Sequence, residues 1–151
     1  MGQPLQHIQV WSEPESGDRD GAGAGGGIDR GAAARRDFYV VRDGELWSWT
    51  YAKSQKVRNI ERDDRVTLQV ETGHEYQELR GVMIRARCRL HRELEVVAGV
   101  GEDLAVRYGD ADAVGPEAHE VFERQAAKRV ALHFVARSMA TWDHRKLGGV
   151  Y

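Results

Sequence analysis

The chain has 151 residues, about the length of one ordinary domain, with 41% hydrophobic residues, 30% charged residues and a formal net charge of -2. This composition is typical of a soluble globular protein, because no apolar run is long enough to cross a bilayer and the net charge gives no overall attraction to nucleic acid. The single cysteine, Cys88, excludes an internal disulfide and a cysteine-based zinc site, and the first residues lack the apolar core of a signal peptide, so we expect a cytoplasmic protein.

The N-terminal segment, residues 1–36, differs in composition from the rest of the chain. Residues 21–27 are almost all glycine and alanine, and residues 31–36 are small residues followed by two arginines. The glycine run lacks the Gly-Lys-Ser/Thr ending of a phosphate-binding loop. We therefore expect a disordered or atypical segment that contributes little to the fold, and an ordered domain at residues 37–151.

The ordered domain begins with two β-rich runs on either side of Asp43-Gly44. This pattern predicts a β-hairpin over residues 37–50. Ser54 has the position and chemistry of an N-cap, which predicts a short helix after it. Residues 65–71 then alternate between apolar and polar side chains, as a half-buried strand does.

The second half of the chain combines long strands with helices. Alternation over residues 79–91 predicts the central strand, and helical spacing over residues 93–108, with Pro116 as the first residue of a second helix, predicts two helices. Residues 129–136 alternate again, and residues 138–142 extend the sheet. This order predicts a mostly β, α+β fold built on an antiparallel barrel, not a parallel nucleotide-binding sheet.

One stretch carries candidate chemistry. A strand ends in Trp49 and Thr50, the chain turns, and a helix begins with Ser54, Gln55 and Lys56. Free N–H groups at a helix start attract anions, and a hydroxyl and an ammonium beside them would complete a phosphate site. From the spacing alone, a capped surface helix with a solvated basic face is the better explanation of the same residues.

The stretch also resembles a family. The pattern Thr-x-x-x-Ser-x-Lys after an aromatic strand is similar to that of the pyridoxamine 5'-phosphate oxidase-like, FMN-binding split-barrel superfamily, which includes deazaflavin-dependent oxidoreductases. The similarity continues in residues 59–65, 78–84, 128–130 and 142–149. The resemblance implies an antiparallel split β-barrel with a few helices. The N-terminal strands usual in the family are expected to be missing or atypical here.

The resemblance also implies a cofactor site. In the family, the two residues that close the strand contact the flavin and the Ser-x-Lys turn binds its phosphate, which assigns cofactor binding to Trp49, Thr50, Ser54, Gln55 and Lys56. Relatives often have arginine at the position of Gln55, whereas several deazaflavin-using members resemble the Ser-Gln-Lys version. FMN and a deazaflavin coenzyme therefore both remain candidates.

The function implied is that of an FMN- or deazaflavin-dependent oxidoreductase acting on a small organic substrate. The alternative is a non-enzymatic or degenerate split-barrel flavin-binding protein. The family builds each cofactor site from two subunits, so a homodimer is expected, with no nucleic-acid or membrane partner. No catalytic side chain is assigned. No metal is assigned either, because the six histidines show no ligand spacing. Cys88 lies on the apolar face of its strand and is expected to be buried and unreactive.

Overall fold

The computed structural model describes residues 8–12, 36–109 and 115–147. Within these ranges the chain forms one curled antiparallel sheet and three α-helices. The strands are β1 (Ile8–Ser12), β2 (Arg36–Asp37), β3 (Val40–Arg42), β4 (Glu45–Tyr51), β5 (Arg65–Thr72), β6 (Arg80–His91) and β7 (Arg129–Asp143). The helices are α1 (Gln55–Arg62), α2 (Leu94–Tyr108) and α3 (Pro116–Ala126). The sheet order β2-β1-β5-β6-β7-β4-β3 confirms the predicted antiparallel α+β split barrel.

The hairpin between β3 and β4 forms where Asp43-Gly44 predicted it. Both turn residues have positive φ, 51° at Asp43 and 76° at Gly44, which is the geometry of a two-residue turn matched to the twist of the strands. Pairing of Arg42 with Glu45 fixes the register of β4. The register in turn decides which side chains of β4 face the barrel.

Two apolar clusters lie on the two faces of the sheet. The larger fills the barrel interior, and its members from the three central strands are Val66, Leu68, Ile84, Ala86, Cys88, Val130, Leu132 and Phe134. The smaller one lies between the outer face and the two later helices, and it includes Val40, Val97, Val100, Leu104 and Ala131. None of the helices in the described parts of the chain is long and apolar enough to span a lipid bilayer.

Strand β1 differs from the sequence-based expectation. It pairs with β5 from Ile8 opposite Val70 to Ser12 opposite Val66, and Ile8 is fully buried in the barrel core. The expectation that residues 1–36 contribute little to the fold is therefore wrong for residues 8–12, which form a core strand. The remainder of the predicted segment, residues 1–7 and 13–35, lies outside the described residues.

A β-bulge divides β7. The register against β6 shifts between Arg85, which pairs with Ser138, and Ala86, which pairs with Ala136, so Arg137 is the extra residue. Beyond the bulge, β6 is the only described strand that pairs with β7. Met139 lies opposite buried Ile84 and is nevertheless 64% exposed. The apolar face of the sheet thus extends past the closed part of the barrel.

Cys88 is buried, as predicted, and burial raises the pKa of its thiol to about 12. Because the thiolate is the reactive form, we expect native Cys88 to resist iodoacetamide at pH 8 and to react fully in denaturant. Intact-mass spectrometry after timed exposure measures both rates. Rapid labelling of the native protein would contradict this prediction.

Candidate functional site

The turn between β4 and α1 is built as the sequence predicted. The Ser54 hydroxyl accepts a hydrogen bond from the N–H of Val57 at 3.3 Å, and the Ser54 N–H donates to the carbonyl of Tyr51 at 3.0 Å. The N–H groups of Gln55 and Lys56 begin the helix, where no intrahelical acceptor is available to them. The start of α1 therefore offers backbone N–H donors to an anion, and the Ser54 side chain caps the helix.

Lys56 does not point freely to solvent. Its ammonium forms an ion pair with the carboxylate of Asp37 on β2, and the two side chains are only 15% and 17% exposed. An arriving phosphate would compete with Asp37 for this cation. The family resemblance assigned phosphate binding to Lys56 but did not reveal its partner, Asp37.

Two further side chains of α1 are accessible at the turn. Gln55 is exposed, and its amide donates to the side chain of Asn59 at 2.9 Å. Arg58 is also exposed and lies one helical turn after Ser54 on the same side of α1. Arg58 thus supplies a positive charge near the helix start, and the sequence-based assignment had left it out.

Trp49 and Thr50 lie on opposite faces of β4. Thr50 pairs with Val130, whose side chain belongs to the barrel interior, whereas Trp49 pairs with Ala131, whose side chain belongs to the helix-covered face. The five predicted residues therefore do not form one cluster of side chains. The Thr50 side chain faces the barrel interior, and the sheet separates it from the Trp49 side chain on the other face.

On the helix-covered face, Trp49 belongs to a second arrangement that the sequence analysis did not find. The guanidinium carbon of Arg129 lies 4.4 Å from the centre of the Trp49 ring and 4.2 Å from that of Tyr51. The arginine is stacked against two rings of neighbouring β4 positions. Only the pairing of β4 with β7 reveals this arrangement, since these residues are about 80 positions apart.

A third cluster lies at the other end of the same face. Trp47 stacks on His133 with ring centres 4.1 Å apart, and His133 Nε2 lies 2.5 Å from the Glu45 carboxylate. The His91 ring lies 5.1 Å from Trp47, and its Nε2 is buried with no hydrogen-bond partner among the described residues. In residues 8–12, 36–109 and 115–147, no three histidine, cysteine or acidic side chains are grouped to hold a metal ion.

The chain is similar to known proteins in both sequence and fold. A sequence model of the family described as pyridoxamine 5'-phosphate oxidase matches residues 30–143, which include the whole turn between β4 and α1. The chain belongs to this family. A comparison with curated proteins finds no match.

Solved structures share the fold. A conserved hypothetical protein of Mycobacterium tuberculosis, Rv2991, superposes with a TM-score of 0.74 and 30% identity, over 98% of this chain and 83% of that one. An F420 reductase gives 0.58 with 14% identity, over 90% of both chains. A FAD-binding protein of Mesorhizobium loti gives 0.57 with 12% identity, over 89% of this chain and 84% of that one.

Proposed function

We propose that this protein is an oxidoreductase that uses FMN, or alternatively a deazaflavin coenzyme, on a small organic substrate. The observation that carries the proposal is the helix start at Ser54, which lies inside the family match and whose first N–H groups have no intrahelical acceptor and can bind an anion. Fold neighbours named as an F420 reductase and a FAD-binding protein support the same class of cofactor.

The turn fits the phosphate of such a cofactor in part. The N–H groups of Gln55 and Lys56 and the Arg58 guanidinium supply donors, whereas the Lys56 ammonium is already paired with Asp37. The flavin or deazaflavin supplies the hydride chemistry when it is bound, and the protein supplies binding and orientation. We assign no side chain as acid or base.

The pairing of Lys56 with Asp37 is also the observation that favours the alternative, a non-enzymatic or degenerate flavin-binding protein. A carboxylate beside the phosphate position lowers the local positive potential and so weakens anion binding. In that case the fold is kept while the cofactor is held loosely or not at all.

Two measurements separate these functions. Titration of the purified protein with FMN, followed by flavin fluorescence, tests binding, and the same titration is repeated with a deazaflavin coenzyme. Oxidation of pre-reduced cofactor by a panel of small electron acceptors then tests turnover. Binding without turnover supports the non-enzymatic alternative, and no binding of either cofactor contradicts the oxidoreductase and supports a degenerate member of the family.

We further propose that the protein is a homodimer. The β7 segment after the bulge has side chains exposed on both faces and one free edge among the described strands, and Met139 continues the apolar core face there. A second copy would cover this surface. Light scattering should give twice the chain mass, and Met139→Asp should shift the equilibrium toward monomer. A parent protein that stays monomeric at micromolar concentration would contradict this prediction.

A further inference from the structure

A cavity of about 320 Å³ lies between β4, α2 and α3, within the size range of small-molecule sites. Its walls are mostly aromatic and aliphatic. They include Phe38, Trp49, Leu104, Tyr108, Phe122 and Arg129. No acidic side chain lines it, so the cavity combines apolar walls with one cation.

Close packing holds the Trp49 wall in place. A Cβ added at Gly101 of α2 would collide with the benzene part of the Trp49 side chain, so the helix backbone packs closely against the indole. Phe122 of α3 approaches the same indole at 6.5 Å between ring centres. The indole and the Phe122 ring therefore form a fixed aromatic part of the cavity wall.

Arg129 is the one charged residue among the described residues that line the cavity. Its guanidinium carbon lies over the rings of Trp49 and Tyr51, and the N–H groups of a guanidinium can donate to an anion that enters the cavity. Among the described residues, no carboxylate forms an ion pair with Arg129. An adjoining cavity of about 440 Å³ shares Arg129 and adds Arg124 and Lys128, again without an acidic residue in its lining. In the described parts of the chain, three cationic side chains and no carboxylate therefore line these two cavities.

We propose that this cavity binds a small planar aromatic molecule carrying an anionic group. The ring packs against the apolar walls, including Leu104 and Phe122, and the anion bonds to Arg129. Both an aromatic carboxylate and an aryl phosphate have this chemistry. Because Trp49 and Thr50 face opposite sides of β4, the site is distinct from the turn at Ser54 and does not depend on the proposed cofactor role.

Calorimetric titration of the full chain tests the proposal with three probes of one ring system: 2-naphthoate, 2-naphthyl phosphate and the neutral 2-naphthamide. Both anions should bind more tightly than the amide, and the tighter anion distinguishes the two ligand types. Arg129→Met removes a charge-assisted hydrogen bond and should weaken the anions by roughly 10- to 150-fold while leaving the amide nearly unchanged.

Arg107→Met is the matched control. Arg107 also stacks on aromatic rings, 4.4 Å from the centre of Tyr39, but it does not line the cavity. This variant should bind all three probes like the parent. Phe122→Ala removes a wall and should weaken all three probes, which keeps the test decisive if Arg129→Met folds poorly.

Three results would overturn the proposal. If the amide bound as tightly as the anions, the anionic group would not contribute to binding. If Phe122→Ala bound the probes like the parent, the probes would not occupy this cavity. Competitive displacement of 2-naphthoate by FMN would show that the cavity belongs to the flavin and is not a separate site.

Discussion

Replacing Ile8 with alanine should lower the free energy of unfolding by about 2–5 kcal/mol, the cost of deleting a large aliphatic side chain from a packed core. Ile8 is fully buried in the barrel cluster and lies on β1, opposite Val70 of β5. The alanine leaves a cavity that neighbouring strands can fill only by shifting. Urea unfolding followed by circular dichroism measures the change.

Val41→Ala is the control for this measurement. Val41 also lies on a strand near the sheet edge, but it is 55% exposed, so its truncation should change stability by no more than about 0.5 kcal/mol. If Ile8→Ala proved as mild as Val41→Ala, β1 would be dispensable and the original expectation for the N-terminal segment would be right.

Replacing Lys56 with alanine should weaken FMN binding by roughly 10- to 150-fold, because a charge-assisted hydrogen bond contributes about 1.5–3 kcal/mol. The loss also leaves Asp37 without its cation beside the phosphate position, which adds repulsion. Fluorescence quenching of FMN measures affinity, and circular dichroism confirms that the variant is folded at the temperature used.

Three controls test whether the loss of affinity depends on the contact between Lys56 and the phosphate of FMN. Lys53 lies just before the cap and is exposed, so Lys53→Ala should change affinity much less. Riboflavin, which lacks the phosphate, should bind Lys56→Ala and the parent about equally. Asp37→Asn removes the competing carboxylate and should raise FMN affinity. If Lys56→Ala binds FMN as tightly as the parent, the turn is a capped surface helix and the cofactor assignment fails.

Local sequence signals predicted most of the strands and helices well. The Asp43-Gly44 turn, the Ser54 cap and the alternation of β5 and β6 depend on neighbouring residues, so they could be read directly from the chain. Strand β1 was missed because it is short and precedes a glycine-rich stretch. The signal available was Ile8 and Val10 on either side of Gln9, an alternation too brief to stand out.

The candidate site was only partly predictable. The turn depends on neighbouring residues, and its helix cap formed as expected. The partner of Lys56 is Asp37, which lies on β2, 19 residues earlier in the chain. Trp49 and Thr50 were grouped by adjacency, whereas the alternation of a strand places them on opposite faces. The stacking of Arg129 on Trp49 requires strand register, which a single sequence does not specify.

The bulge at Arg137 reverses the parity of β7. Before it, even-numbered positions such as Leu132 and Phe134 point into the barrel; after it, Met139 lies opposite Ile84, so odd-numbered positions take that face. A regular strand through the same residues, without the bulge, would exchange inside for outside at every position after Arg137. An alignment with a family member that lacks the bulge therefore needs a gap at Arg137, and leaving the gap out would equate side chains that point in opposite directions along the rest of the strand.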